Sequence, residues 1–186
     1  METKLVRNSV IGLGVAGLMV AGTAHADERQ NEIFVGTYAI AVTYDDSRFG
    51  DDELSGSHVG YARNFTDNFG MRASYFSTEH DDFSSIDASG YDLAIVGGQL
   101  SRGFNVWGGF GYYSEEWEAD FGGSEGFSGA QFQFGIGYSW EPVSIRLVVY
   151  SRDASDYQDF VNETNSTYYE VNAFAASSSL NLGFRF

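Results

Sequence analysis

The last thirteen residues, FAASSSLNLGFRF (174–186), differ on alternate positions. Phe174, Ala176, Ser178, Leu180, Leu182, Phe184 and Phe186 form one set, apolar and aromatic toward the end. Ala175, Ser177, Ser179, Asn181, Gly183 and Arg185 form the other, small or polar. A period of two marks a strand with two unlike faces. In a soluble sandwich the Phe/Leu face would be the core. In a membrane barrel the same face would look out at lipid, and the small polar face would fill the lumen.

The rest of the chain decides between these. Its 186 residues suit one domain, and they include no Cys, one Pro, 23 Gly, 16 Phe and 12 Tyr. Without Cys there is no disulfide and no thiolate metal site. Abundant Gly and aromatics with almost no Pro favour many strands over helices. At the start, Lys4 and Arg7 precede an apolar run, VIGLGVAGLMVAG (10–22), and then Ala24-His25-Ala26. This order predicts a signal peptide over 1–26, cleaved after Ala26, and one domain over 27–186. The apolar run is short of the ~20 residues that a membrane helix needs. GLGVAG (12–17) matches G-x-G-x-x-G in form only, since no strand precedes it. Beyond residue 26 there are eight Arg and no Lys, and the whole chain carries a net charge of -16, which makes nucleic acid a poor partner.

Alternation predicts strands at 33–44, 57–65, 69–78, 91–100, 104–114, 128–140, 143–150 and 169–186. The connections 66–68, 101–103 and 141–142 are tight; 45–56, 79–90, 115–127 and 151–168 are long. Eight strands joined short, long, short, long predict an all-β fold: an eight-stranded antiparallel up-and-down transmembrane β-barrel after a cleaved signal peptide, in the outer membrane of a bacterial cell. On strand 6, Phe132, Phe134, Ile136, Tyr138 and Trp140 alternate with Gln131, Gln133, Gly135, Gly137 and Ser139. On strand 7, Val143, Ile145, Leu147 and Val149 alternate with Ser144, Arg146, Val148 and Tyr150. A solvated face would be studded with Lys and Glu; small residues and Gln suit a narrow interior. The Phe/Leu face is therefore expected outside. On strand 1 the same rule assigns Phe34, Gly36, Tyr38, Ile40, Val42 and Tyr44 outward, and Val35, Thr37, Ala39, Ala41 and Thr43 inward. Two girdles are expected: Phe34, Phe65, Phe69, Phe104, Trp140, Phe184 and Phe186 at the periplasmic side, and Tyr44, Tyr75, Tyr91 and Tyr112 at the other. Arg63 has lipid parity on strand 2 and is placed to snorkel; Gln99 and Leu100 break the parity of strand 4, which predicts a bulge.

The signal peptide, the eight alternating strands, the RNFTDNFGMRASY hairpin (63–75) and the C-terminal LNLGFRF resemble the small eight-stranded outer-membrane barrels, the group of the OmpA transmembrane domain, OmpX and Ail. The resemblance implies that Phe186, with Phe184 and Leu182 on the same face, is the signal read by the barrel assembly machinery. It also implies a range of roles: adhesin, membrane stabiliser, narrow channel or lipid-modifying enzyme. A C-terminal peptidoglycan-binding domain is not expected.

By parity the lumen holds Phe76, Trp107, Tyr113 and Tyr150 with Arg72, Asp92, Arg146 and Arg185, and Glu141 at the periplasmic rim. Buried charges must be paired, so Arg shared among Asp92, Glu141, Gln131 and Gln133 predicts a structural plug, with a narrow ion or solute channel as the alternative. An enzyme is not expected, and no cofactor: past residue 26 the only His are His58 and His80, no H-x-S occurs, and His80 beside Glu79, Asp81 and Asp82 reads as part of a solvated charge run. The four long loops hold 18 acids against two Arg. Asp45/Asp46, Asp51/Asp52, Asp81/Asp82 and Glu115/Glu116 are the best candidates for weak divalent-cation sites that would bridge to lipopolysaccharide. Phe49, Phe83, Trp117, Phe121 and Tyr157 in the same loops suggest contacts with an extracellular ligand. The expected partners are thus outer-membrane lipid and lipopolysaccharide, the assembly machinery, and no nucleic acid; the chain is expected to be a monomer with a structural or surface-interaction role.

Overall fold

The computed structural model describes residues 30–46, 48–83, 85–119, 122–164 and 170–186; the predicted signal peptide and Phe121 lie outside them. Eight strands, β1 (Asn31–Tyr44), β2 (Asp52–Thr66), β3 (Phe69–His80), β4 (Ile86–Gln99), β5 (Gly103–Ala119), β6 (Ser124–Trp140), β7 (Val143–Arg152) and β8 (Ala173–Arg185), form a closed barrel in sequence order. Every neighbouring pair is antiparallel, and β1 joins β8 from Glu32↔Arg185 to Tyr44↔Ala173. Closure leaves no unpaired edge. The chain enters and leaves at one rim, where Asn31 and Phe186 exchange backbone hydrogen bonds of 3.2 and 2.9 Å. The tight turns share that rim, so it is the turn end; the long connections form the loop end.

The strands run further toward the loop end than alternation predicts. β5 and β6 have 17 residues each, against the roughly 9–11 that cross a bilayer. Their upper parts are rich in Asp, Glu, Gly and Ser, which have low strand propensity and so read as loop. The backbone ladder nonetheless continues across them, with Asp87 opposite Glu118 and Glu118 opposite Ser124. The last connection contains a helix, α1 (Ser155–Thr164), that the alternation did not reveal.

Outside, the wall is apolar: Ile95, Phe132, Phe134, Leu180, Leu182 and Phe184 are each at least half exposed. Inside, Tyr38, Phe76, Trp107, Tyr113 and Gln131 are buried at 2 % exposure or less. This inverts the arrangement of a soluble protein and is the pattern of a wall built to face lipid. The expected faces of β6, β7 and β8 hold.

Strand 1 is a correction. Phe34, Tyr38, Ile40 and Val42 fill the lumen, and Val35, Thr37 and Ala39 face out. Both faces of β1 are apolar, so its alternation does not choose between them. The neighbours do. Tyr38 lies opposite Gly56 on β2 and Ser179 on β8, and residues directly opposite share a face. The inward residues of β8 are Ala175, Ser177, Ser179, Asn181 and Gly183, too small to fill their side of the lumen. Bulky groups on β1 fill it instead. Phe34 and Tyr44 accordingly leave the expected girdles.

The expected bulge in β4 is also absent. β4 pairs without a register shift on both sides, Gln99 faces out, and Leu100 turns inward just past the strand. The Leu100 N–H is held by Asp67 O at 2.9 Å. The shift lies in β2, between Asn64 and Thr66. Arg63 is on the outer face, its guanidinium 5.7 Å from the Phe65 ring. Two large lumen side chains need Gly beside them. A Cβ on Gly135 would come within 2.2 Å of the Trp107 ring, and one on Gly60 within 2.2 Å of the Phe34 ring.

Candidate functional site

The lumen divides into a turn-end charge group, a central cation and a loop-end group covered by α1. At the turn end, Glu32 on β1 takes the Arg146 guanidinium from β7 and lies 3.9 Å from that of Arg185 on β8. Arg146 also reaches Ser139 Oγ at 3.4 Å, and Ser139 donates to Asn105 at 2.7 Å. Sequence parity expects Glu141 in this role. That residue lies in the tight turn, exposed, and faces Arg102 at 3.7 Å outside the lumen. Glu32 was missed because it precedes the first clear alternation.

The loop-end group centres on Arg152, whose side chain is completely buried. Its Nη1 donates to Glu115 Oε2 at 2.6 Å, and its Nη2 donates to the Tyr38 hydroxyl at 2.6 Å and Asp92 Oδ1 at 3.4 Å. Tyr38 donates onward to Asp92 at 2.8 Å, and Gln131 Nε2 reaches the other Asp92 oxygen at 3.1 Å. The guanidinium also lies 4.5 Å from the Tyr113 ring. Arg152 and Glu115 fall within the stretches that alternation predicts as loops. Their parity gave the available signal: Arg146, Val148, Tyr150 and Arg152 share one face of β7.

Helix α1 covers this group. Tyr157 and Val161, one turn apart, are buried, and the Tyr157 ring stacks on Phe127 at 4.3 Å and lies 6.0 Å from Trp117. The Tyr157 hydroxyl donates to Glu115, and Trp117 Nε1 donates to the same oxygen at 2.8 Å. Burial first, and the Glu115 charge second, push the Tyr157 phenol well above its ordinary pKa, so it stays a donor. Asp156 accepts Ser128 N–H at 2.8 Å and ties the helix to β6. Before the helix, Asp153 accepts the Ser155 N–H at 3.1 Å. Tyr157, Phe160 and Val161 at i, i+3 and i+4 were the unused sequence signal for α1.

Most of the paired acids of the loops are engaged by groups other than each other. Asp45 is held by Asn172 N–H and Nδ2 at 2.8 and 2.6 Å, and those bonds lower its pKa. Asp46 takes the Arg48 guanidinium, which lowers its pKa to about 2. Asp51 is exposed beside Asp52, which accepts the Tyr44 hydroxyl at 2.9 Å. Asp81 accepts Ser55 Oγ at 2.6 Å, and Asp82 gives its backbone N–H to His80 Nδ1 at 3.1 Å. Glu115 points in while Glu116 points out, as consecutive strand residues must. Among the described residues no three His, Asp or Glu are grouped as metal ligands. His80 is buried rather than solvated: its Nδ1 also takes the Phe83 N–H at 3.3 Å, and its Nε2 faces Asp52 at 3.3 Å. Of the loop aromatics, Phe83 is exposed; Trp117 and Tyr157 turn inward. At the turn end Leu182, Phe184 and Phe186 all face out, with Phe65, Phe69, Phe104 and Trp140.

No protein-family model and no curated protein matches this chain. Solved structures do. Neisserial surface protein A superposes with a TM-score of 0.57 at 12% identity, over 83% of this chain and 97% of that one. OprG from Pseudomonas aeruginosa gives 0.50 at 11%, over 87% and 98%. Ail of Yersinia pestis gives 0.48 at 18%, over 86% and 100%. The chain thus has the fold of small eight-stranded outer-membrane barrels.

Proposed function

We propose that the protein is a closed barrel of the bacterial outer membrane that acts through its loop end, as a structural or surface-interaction element and not as an enzyme. One observation carries this reading: the lumen is occupied from end to end by side chains. Phe34, Trp107, Phe76, Tyr38 and Tyr113 fill it, ion-paired groups tie its walls together, and α1 lies over the loop end with Tyr157 inserted. Eight strands enclose little more than their own side chains. The apolar outer wall favours outer-membrane lipid as its surroundings, with the turn end in the periplasm and the loop end outside. Lipopolysaccharide would then surround the acidic upper strands, and Phe186, Phe184 and Leu182 would be the residues met by the assembly machinery. Exposed Phe83 and Phe160 at the loop end offer apolar contact points for an extracellular ligand.

Planar-bilayer recording of the purified barrel tests the closed lumen. The expected result is no steady conductance for the native chain, and none for Tyr157→Ala, because the Arg152 group still blocks the lumen beneath α1. Steady single-channel steps in the native protein would establish the channel instead.

A further inference from the structure

Among the described residues, three of the four lumen guanidiniums have carboxylates beside them. Arg146 and Arg185 lie at Glu32, and Arg152 lies between Glu115 and Asp92. Arg72, on β3, differs. It is 7% exposed, and among the described residues no carboxylate pairs with it. Its guanidinium lies 4.3 Å from the Phe34 ring and 5.0 Å from the Trp107 ring. Rings cover a guanidinium well, but they leave its N–H edge without an acceptor. The buried Nη2 of Arg72 has no hydrogen-bond partner among the described residues.

The surroundings hold further unpartnered groups. His58 is 5.5 Å from the same Phe34 ring, centroid to centroid, and 5.2 Å from Tyr38. Its Nε2 faces Asn181 Oδ1, an oxygen that only accepts, so the ring proton sits on Nε2. Its Nδ1 is buried without a partner, as is the Trp107 Nε1. A buried cation without a counter-ion, one of whose nitrogens has no acceptor, is costly, and native interiors do not retain one without compensation.

We propose that the lumen binds one small inorganic anion of the halide class against the N–H edge of Arg72. A halide fits the chemistry. It needs few donors, it carries the one charge that Arg72 lacks, and it is weakly hydrated enough to enter an aromatic site. Phosphate or a carboxylate would bring several oxygens, and Phe34 and Trp107 beside Arg72 offer few donors for them. Water is the competing occupant, since it would give Arg72 Nη2 an acceptor without supplying charge.

The test is thermal unfolding of the folded barrel in detergent, with sodium bromide against sodium gluconate at equal ionic strength. Bromide is expected to raise the unfolding temperature of the native chain by roughly 3–5 °C more than gluconate at saturating levels. The selective shift should vanish in Arg72→Met, which keeps an apolar stem between Phe34 and Trp107. Should that variant not fold, bromide anomalous scattering from crystals of the native protein decides the matter, with a peak expected at Arg72. Equal shifts in both salts, a selective shift that survives Arg72→Met, or a crystal with only water at Arg72 would overturn the proposal.

Discussion

Arg152→Met is expected to destabilise the barrel by about 3–5 kcal/mol, the largest loss of any lumen substitution. The substitution leaves Glu115 and Asp92 buried together without a cation. Both are at most 5% exposed, so water does not take over the lost contacts. Tyr38 also loses a donor to its hydroxyl, and the Tyr113 ring loses its cation. Urea unfolding of the folded barrel in detergent measures the loss. Glu115→Gln on the same background should recover part of it, because one of the two uncompensated charges is then removed. A loss below about 1 kcal/mol, the range of exposed ion pairs, would show that the Arg152 group is hydrated and that the lumen is open to solvent.

Leu147→Arg is the second large effect. Leu147 faces out at the middle of β7, opposite Ile136 on β6 and Leu180 on β8. All three are exposed apolar side chains. On a soluble protein, an exposed Leu changed to Arg alters stability by within about 0.5 kcal/mol. On a barrel wall at the bilayer midplane, Arg costs about 2–4 kcal/mol. Refolding into lipid vesicles should therefore show the larger loss. The same substitution in Arg63's region, near the turn end, should cost far less, because the side chain reaches the interface there. An indifferent Leu147→Arg would place this face in water.

These expectations rest on faces that the sequence showed with unequal clarity. β6, β7 and β8 were legible because each sets large apolar residues against Gly, Ser or Gln, so only one face fits a narrow interior. β1 was not, because Phe34, Tyr38 and Ile40 oppose Val35, Thr37 and Ala39, and only the small inward residues of β8 decide between them. Eight strands were readable from apolar alternation, and the short and long connections from the spacing between them. The lengths of β5 and β6 were not, since their acidic upper parts depend on ladder partners from other strands.

The charge groups followed the same rule. Arg72, Asp92, Arg146 and Arg185 stood on readable parities. Glu32, which meets Arg146 and Arg185, and Arg152, which meets Asp92 and Glu115, lay with Glu115 at the ends of the expected strands, where sequence boundaries are least certain. Stagger between strands, which no local pattern encodes, determines that Glu32 meets Arg146 and that Glu115 meets Arg152. Helix α1 was hidden because a ten-residue helix inside a long connection competes with turn signals on either side.

The central claim is that the apolar outer wall faces lipid, and β1 tests it best because its two faces look alike in sequence. The chain has no Cys, so a single Cys can be placed and spin-labelled without background. Labels at Val35, Thr37 and Ala39 in vesicle-reconstituted barrel should be relaxed strongly by oxygen, which concentrates in lipid, and weakly by a water-soluble nickel chelate. Strong relaxation of the Val35, Thr37 and Ala39 labels by the nickel chelate, with little effect of oxygen, would place that face in water and contradict the account.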